Sequence, residues 1–173
     1  KINHMYSNTI TNELPVTNQK ASGRCWGFAG LNLLRLEIVK KYNLSNFEFS
    51  QNYFMFWDKL EKSNYFLESI IKTINNETDS RLIMHLLQSP VQDGGQWDMF
   101  VNLVEKYGLV PQSVMPETNH SSKSGMMNYI LTHKLRQFAS ILRNSKIIDP
   151  KKLRIKKESM ISEIYSLLCM FLG

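Results

Sequence analysis

Apolar side chains fall at helical spacing from Cys25 to about Tyr42, with Trp26, Leu33, Leu34 and Ile38 set against Arg35, Lys40 and Lys41 as polar partners. The basic pair at the end of this stretch suits the negative end of a helix dipole. Residues 1–24 carry Pro15, several asparagines and Gly23, and read as an extended or irregular segment. A second helix is expected to open at Ser50. Ser50 would be the N-cap and Phe49 and Phe54 a hydrophobic staple across it, with "QNYFMFWDKLEK" as the body. A further helical stretch is expected around "YFLESIIKTI", and a short one in "SRLIMHLLQS", ended by Pro90.

"QDGGQWD" reads as a glycine turn. "WDMFVNLVEKY" reads as a helix with Trp97, Phe100, Val104 and Tyr107 on one stripe and Gly108 as its stop. "LVPQSVMPETNHSSKSG" reads as a loop. In "MMNYILTHKLRQFASILRN", Leu131, Leu135, Phe138 and Leu142 are spaced for one buried face. A last helix is expected from about Lys157 to Leu172, burying Met160, Ile164, Leu168 and Phe171 and stopping at Gly173. The pattern is mostly helical, with little strand and no internal repeat.

Composition narrows the class without changing the picture. The 173 residues are 43% apolar and 21% charged, enough for a packed core and unlike a disordered chain. The longest apolar stretch, "IYSLLCMFLG", is shorter than a membrane span, and no leader pattern follows Lys1. Cys25 and Cys169 are the only cysteines, too few for a disulfide framework, which favours a reducing, cytoplasmic setting. In that setting the N-x-S/T sequons at Asn43, Asn76 and Asn119 carry no meaning. The net charge of +6 is concentrated in "KIIDPKKLRIKKE", where six basic residues face two acidic ones. Lys151, Lys152, Arg154, Lys156 and Lys157 would then be candidate contacts for weak DNA binding. The alternative is a solvated loop leading into a helix.

The chemistry concentrates in "NQKASGRCWGF". A nucleophilic cysteine acts as its thiolate, and a helix N-terminus favours an anion. The pattern places Cys25 at such a start, with Gly23 permitting close backbone approach and Trp26 buried as an anchor. Acyl transfer also needs donors for an oxyanion. The Cys25 backbone N–H and the Gln19 side-chain amide are candidates. The alternative is an ordinary buried thiol.

"TNQKASGRCWGF" resembles the active-site segment of papain-like cysteine peptidases, and more closely their cytosolic bleomycin hydrolase branch. Ser22 stands where the secreted enzymes have a disulfide cysteine, and Arg24 replaces their small residue. "FEFSQNYFMFWDKLEK", "DGGQWDMFVNLVEKYGLVP" and the final "LLCMFLG" extend the likeness over most of the chain. The resemblance implies an α+β papain-like cysteine peptidase fold of which this chain is the helical half carrying the catalytic cysteine. Residues 1–24 would form an extended segment holding the oxyanion glutamine, and 25–173 the helical part of the catalytic domain.

The resemblance further implies Cys25 as nucleophile, Gln19 in the oxyanion hole, and Gly94 and Gly95, beside Trp26, as the backbone that binds an extended substrate. It implies no cofactor and no metal. Its partners would be peptides with a free N-terminus and further copies of itself in a homohexamer. A C-terminal tail absent here restricts cleavage to N-termini in such enzymes. The family's histidine base and orienting asparagine lie far downstream of the cysteine. His4, His85, His120 and His133 sit in no matching motif, so the chain is read as a fragment or truncated product. The competing readings are a basic nucleic-acid-binding module and a catalytically incomplete assembly part.

Overall fold

A computed structural model describes residues 5–7, 9–10, 13–145, 147 and 149–173. Seven helices follow in order among the described residues: α1 (Cys25–Tyr42), α2 (Gln51–Lys72), α3 (Arg81–Gln88), α4 (Trp97–Tyr107), α5 (Asn119–Ser122), α6 (Gly125–Arg143) and α7 (Pro150–Leu172). Those residues form no β-strand, only isolated bridges between Ala21 and Lys123 and between Phe49 and Pro111.

Helix α2 is the centre, because it carries apolar side chains around most of its circumference. Met55, Phe56, Phe66, Leu67, Ile70 and Ile71 join Leu131, Leu135 and Phe138 of α6 and Leu153, Ile164 and Leu168 of α7 in the larger core. Phe54 turns the other way, into a smaller cluster with Leu31 of α1 and Phe100 and Leu103 of α4. The helix that bears the cysteine is therefore held against the second face of the same central helix.

Several expectations are met closely. Helix α1 begins at Cys25 and ends at Tyr42. The Ser50 hydroxyl caps α2 by accepting the Tyr53 N–H at 2.9 Å, and Phe49 and Phe54 share the smaller cluster. Gly108 ends α4 at φ +70°, its N–H donating to the Val104 carbonyl. The four spaced residues of α6 are all buried.

Others need correction. The two stretches expected on either side of Ser63 are one continuous helix, α2. Ser63 does not interrupt it because its hydroxyl donates to the Lys59 carbonyl one turn back and the side chain is buried. Helix α7 starts at Pro150, seven residues earlier than expected. Asp149 caps it by accepting the Lys151 N–H at 2.9 Å, and Pro150 occupies a first-turn position where its missing N–H costs nothing. From Lys151 to Lys157 the basic run thus lies in the first two turns of a helix.

A short turn of helix, α5, interrupts the expected loop, set by a reciprocal bond pair between Thr118 and Ser121. Leu33 and Trp97, expected in the core, are 57% and 60% exposed, whereas Arg35, expected at the surface, is buried and donates to the Pro15 carbonyl at 2.7 Å. That bond, with the Thr17–Asn32 pair, lays the extended segment before Cys25 across α1. Trp26 is half-buried, and so is Phe171, which packs against His120 while Leu172 takes the buried position.

Candidate active site

The turn from Gln19 to Arg24 sets the cysteine in place. Lys20 and Gly23 both adopt left-handed backbone, at φ +54° and +59°. The Asn18 carboxamide oxygen accepts the Lys20 N–H at 2.8 Å, which offsets the cost of that conformation at a non-glycine residue. Gly23 admits no side chain: a Cβ there would stand 2.6 Å from Cβ of Asp93.

A polar brace of buried groups holds this turn. The Ser22 hydroxyl donates to the Gln19 carbonyl at 2.5 Å and accepts from Arg24 Nε at 2.8 Å. The Arg24 guanidinium then grips both oxygens of Glu117, at 2.8 and 2.7 Å, and lies over the Phe28 ring. The bidentate fork fixes orientation as well as charge. Ser22 and Arg24, the two departures from the secreted pattern, are therefore partners in one device. Two backbone bonds, from Ala21 N–H to the Ser122 carbonyl and from Ser124 N–H to the Ala21 carbonyl, tie the same turn to α5 and the start of α6.

Cys25 is the first residue of α1, and its thiol is free and exposed. No side chain caps this helix start and no acidic residue occupies its first turn. The first-turn N–H groups beside the sulfur are thus left without a side-chain cap. Gln19 is half-buried, and its carboxamide oxygen is buried with no hydrogen-bond partner.

The "DGG" segment closes on both flanks of the cysteine. The Trp26 indole N–H donates to the Asp93 carbonyl at 2.9 Å. Gly95 lies flat on the Trp26 ring, so that a Cβ there would stand 2.5 Å from Cε2, while the corresponding space at Gly94 is open to 4 Å. Asp93 packs beneath Gly23 and accepts from Asn128 of α6 at 2.9 Å. A segment about seventy positions downstream is therefore held against the residues on either side of Cys25, Asp93 against Gly23 and Gly95 against Trp26.

Below the segment lie two lysines that sequence reasoning missed. Lys59 is 1% exposed and Lys62 8%, and both reach up from α2 with buried Asp58 between them. Lys62 Nζ donates to Asp58 at 2.9 Å and to the carbonyls of Gln92 and Gly94 at 2.8 Å each. Burial pushes the Lys62 ammonium below its ordinary range, against the pull of Asp58, and pushes the Asp58 carboxyl above its own. "DKLEK" gives no hint of this, because it reads as an ordinary charged helix face.

The remaining candidates lie elsewhere. His85 and His133 are exposed on α3 and α6, and His120 sits in α5 against Phe171. His4 lies outside the described residues. Within the basic run, Arg154 and Lys157 are already paired with Glu68 of α2, at 2.6 and 3.1 Å, and Lys157 also donates to Asn64. Lys151 and Lys152 are exposed and Lys156 half-exposed. Two surface grooves, of about 900 Å³ between α3 and α6 and about 650 Å³ between α6 and α7, do not include Cys25. No helix among the described residues is long and apolar enough to cross a membrane.

Cys25 thus presents an exposed thiol at an uncapped helix start, with the segment from Asp93 to Gly95 packed beside it. A family model described as the Peptidase C1-like family matches residues 1–173, and the chain belongs to that family. It is 54% identical over 158 residues to Aminopeptidase C of Listeria innocua, covering 91% of this chain and 36% of that protein. It is 43% identical over 175 residues to human bleomycin hydrolase, covering 98% and 38% respectively. The crystal structure of PepW from Lactobacillus rhamnosis matches 96% of this chain and 39% of its own, with a TM-score of 0.86 at 48% identity. The chain thus spans little more than a third of the length of these relatives, and its helices are the part of a papain-like fold that it shares with them.

Proposed function

We propose that this chain is the nucleophile-bearing part of a thiol-dependent aminopeptidase of bleomycin hydrolase type. The Cys25 thiolate attacks the carbonyl of the first peptide bond and forms the S–C bond of a tetrahedral intermediate. Its oxyanion is received by the Cys25 N–H and the Gln19 side-chain amide. Collapse breaks the C–N bond, the leaving amine takes a proton, and water then hydrolyses the thioester to release the acid. Gly94 and Gly95 bind an extended peptide by its backbone, which is tolerant of sequence.

The observation that carries this reading is the free, exposed thiol at the uncapped start of α1, with Gly95 packed on the adjacent Trp26. None of His4, His85, His120 and His133 sits in a motif that matches the family's base, and this reading assigns the proton for the leaving amine to a histidine outside these residues. A homohexameric, cytoplasmic enzyme acting on peptides with a free N-terminus is the corresponding assembly. The ion pairs of Arg154 and Lys157 with Glu68 draw two of the five candidate cations away from DNA.

The test compares the 173-residue chain with the protein extended through the length of its relatives, on an aminoacyl amide, with Cys25→Ala as blank. Turnover by the extended protein that Cys25→Ala abolishes, with the short chain at the blank level, is the expected outcome. Turnover by the short chain well above its own blank would place the base among these residues and contradict the reading.

A further inference from the structure

The two buried lysines of α2 have no part in the bond-breaking steps, yet their placement is costly. An ammonium group out of water must fill all three of its N–H directions or lose their hydration without return. Both do so, and they do it with the segment that carries the glycines. Lys62 takes Asp58, the Gln92 carbonyl and the Gly94 carbonyl. Lys59 takes Asp93 at 2.7 Å, the Val91 carbonyl at 3.2 Å and, at the limit of a hydrogen bond, the Gln92 carbonyl at 3.5 Å. With the Trp26 indole on the Asp93 carbonyl, every carbonyl from Val91 to Gly94 is held from below or from the side. Lys62 also stands 5.2 Å from the centre of the Trp26 ring, on which Gly95 rests. Among the described residues, no acceptor takes the N–H of Gly94 or Gly95.

We propose that Lys59 and Lys62 are positioning residues: they clamp residues 91–94 by their carbonyls, so that Gly94 and Gly95 keep their remaining backbone groups in register for an extended peptide. The proposal rests on the reading of those glycines as the peptide-binding backbone. It assigns to α2 a function in binding strength that neither lysine could exert by contact. A glycine pair free to move would lose entropy on every binding event, and the clamp removes that loss beforehand.

The experiment uses the complete peptidase, shortened only by the C-terminal tail that in such enzymes restricts cleavage to N-termini, so that a residue before the reacting one is admitted, and reversible peptide aldehydes that add to the cysteine thiolate. One is a blocked dipeptidyl aldehyde, the second is the same compound N-methylated at its first residue, and the third is a single-residue aldehyde. Lys62→Met is the direct variant. Because it strands buried Asp58, the charge-balanced D58N/K62M is made beside it, and thermal unfolding verifies that each folds. In the unaltered enzyme, N-methylation removes a backbone donor and weakens binding roughly tenfold. In the variants the parent dipeptidyl aldehyde weakens by a similar factor, the N-methyl penalty falls below about threefold, and the single-residue aldehyde is unchanged within about twofold.

An undiminished N-methyl penalty in a folded variant overturns the clamp and leaves the glycine reading standing. Equal weakening of all three aldehydes overturns it too, since the lysines then act on the whole structure. If N-methylation costs the unaltered enzyme nothing, the glycine reading itself fails, and the clamp with it.

Discussion

Replacing Glu117 with glutamine isolates the brace that holds the turn before Cys25. The shape of the side chain is kept, but Arg24 is left as a cation 5% exposed, with no counter-charge at 2.7 Å. The glutamine oxygen can still accept one bond of the fork, and Ser22 and the face of Phe28 remain as neutral partners. Stranding one member of a fully buried pair costs about 3–5 kcal/mol. Glu117 is 26% exposed, so water can enter on its side, and the lower end of that range, about 3 kcal/mol, applies. For a chain of this size each kcal/mol moves the midpoint by about 2–4 °C, giving a fall of roughly 6–12 °C. The double variant R24M/E117Q removes both charges and strands neither. It should therefore lose less than the sum of R24M and E117Q, with a coupling of about 1–3 kcal/mol. Thermal unfolding of the three variants, followed by far-ultraviolet circular dichroism, reads both quantities. A shift under about 2 °C for E117Q, or strict additivity in the double variant, would refute the brace as an energetic element.

Two further outcomes follow from the packing and the charges. Hydrogen bonds from Arg154, followed by those of Lys157, hold the Glu68 carboxyl down at about 2. A carboxylate depressed on folding contributes stability in full above its unfolded value and loses it as pH falls through the folded one. The α2–α7 contact should therefore weaken between about pH 4.5 and pH 2, and E68Q should flatten acid unfolding in that window alone. Leu135 is completely buried between α6 and the central helix, and Leu135→Ala should cost about 2–5 kcal/mol in denaturant unfolding. A cost under about 1 kcal/mol would show that this layer is not the packed core described.

The chain's pattern revealed helices better than it revealed what their polar residues do. The start of α1, the Ser50 cap and the buried face of α6 were legible because capping and apolar spacing are local signals. The early start of α7 was also signalled, by Asp149 before Pro150, but the density of lysines masked it as a loop. Lys59, Lys62 and Arg35 were not legible. Their burial is dictated by carbonyls of Gln92, Gly94 and Pro15, which lie about thirty and twenty residues away, and apolar periodicity carries no trace of such partners. For the same reason Leu33 and Trp97 look like core residues and are not. At the site, Cys25 and its helix start could be read from one segment, and Gly94 and Gly95 from resemblance. The contact of Gly95 with Trp26, which joins them, comes only from the fold.

The central claim is that Cys25, through its place at an open helix start, is the nucleophile. Cys169 provides an internal control, since it too is free and exposed. The complete protein is mixed with an aminoacyl p-nitrophenyl ester, quenched in acid and digested, and the thioester is located by mass spectrometry. The account predicts acylation at Cys25, none at Cys169, and loss of the adduct and of turnover in Cys25→Ala. Equal acylation of both thiols, or turnover that survives Cys25→Ala, would contradict it.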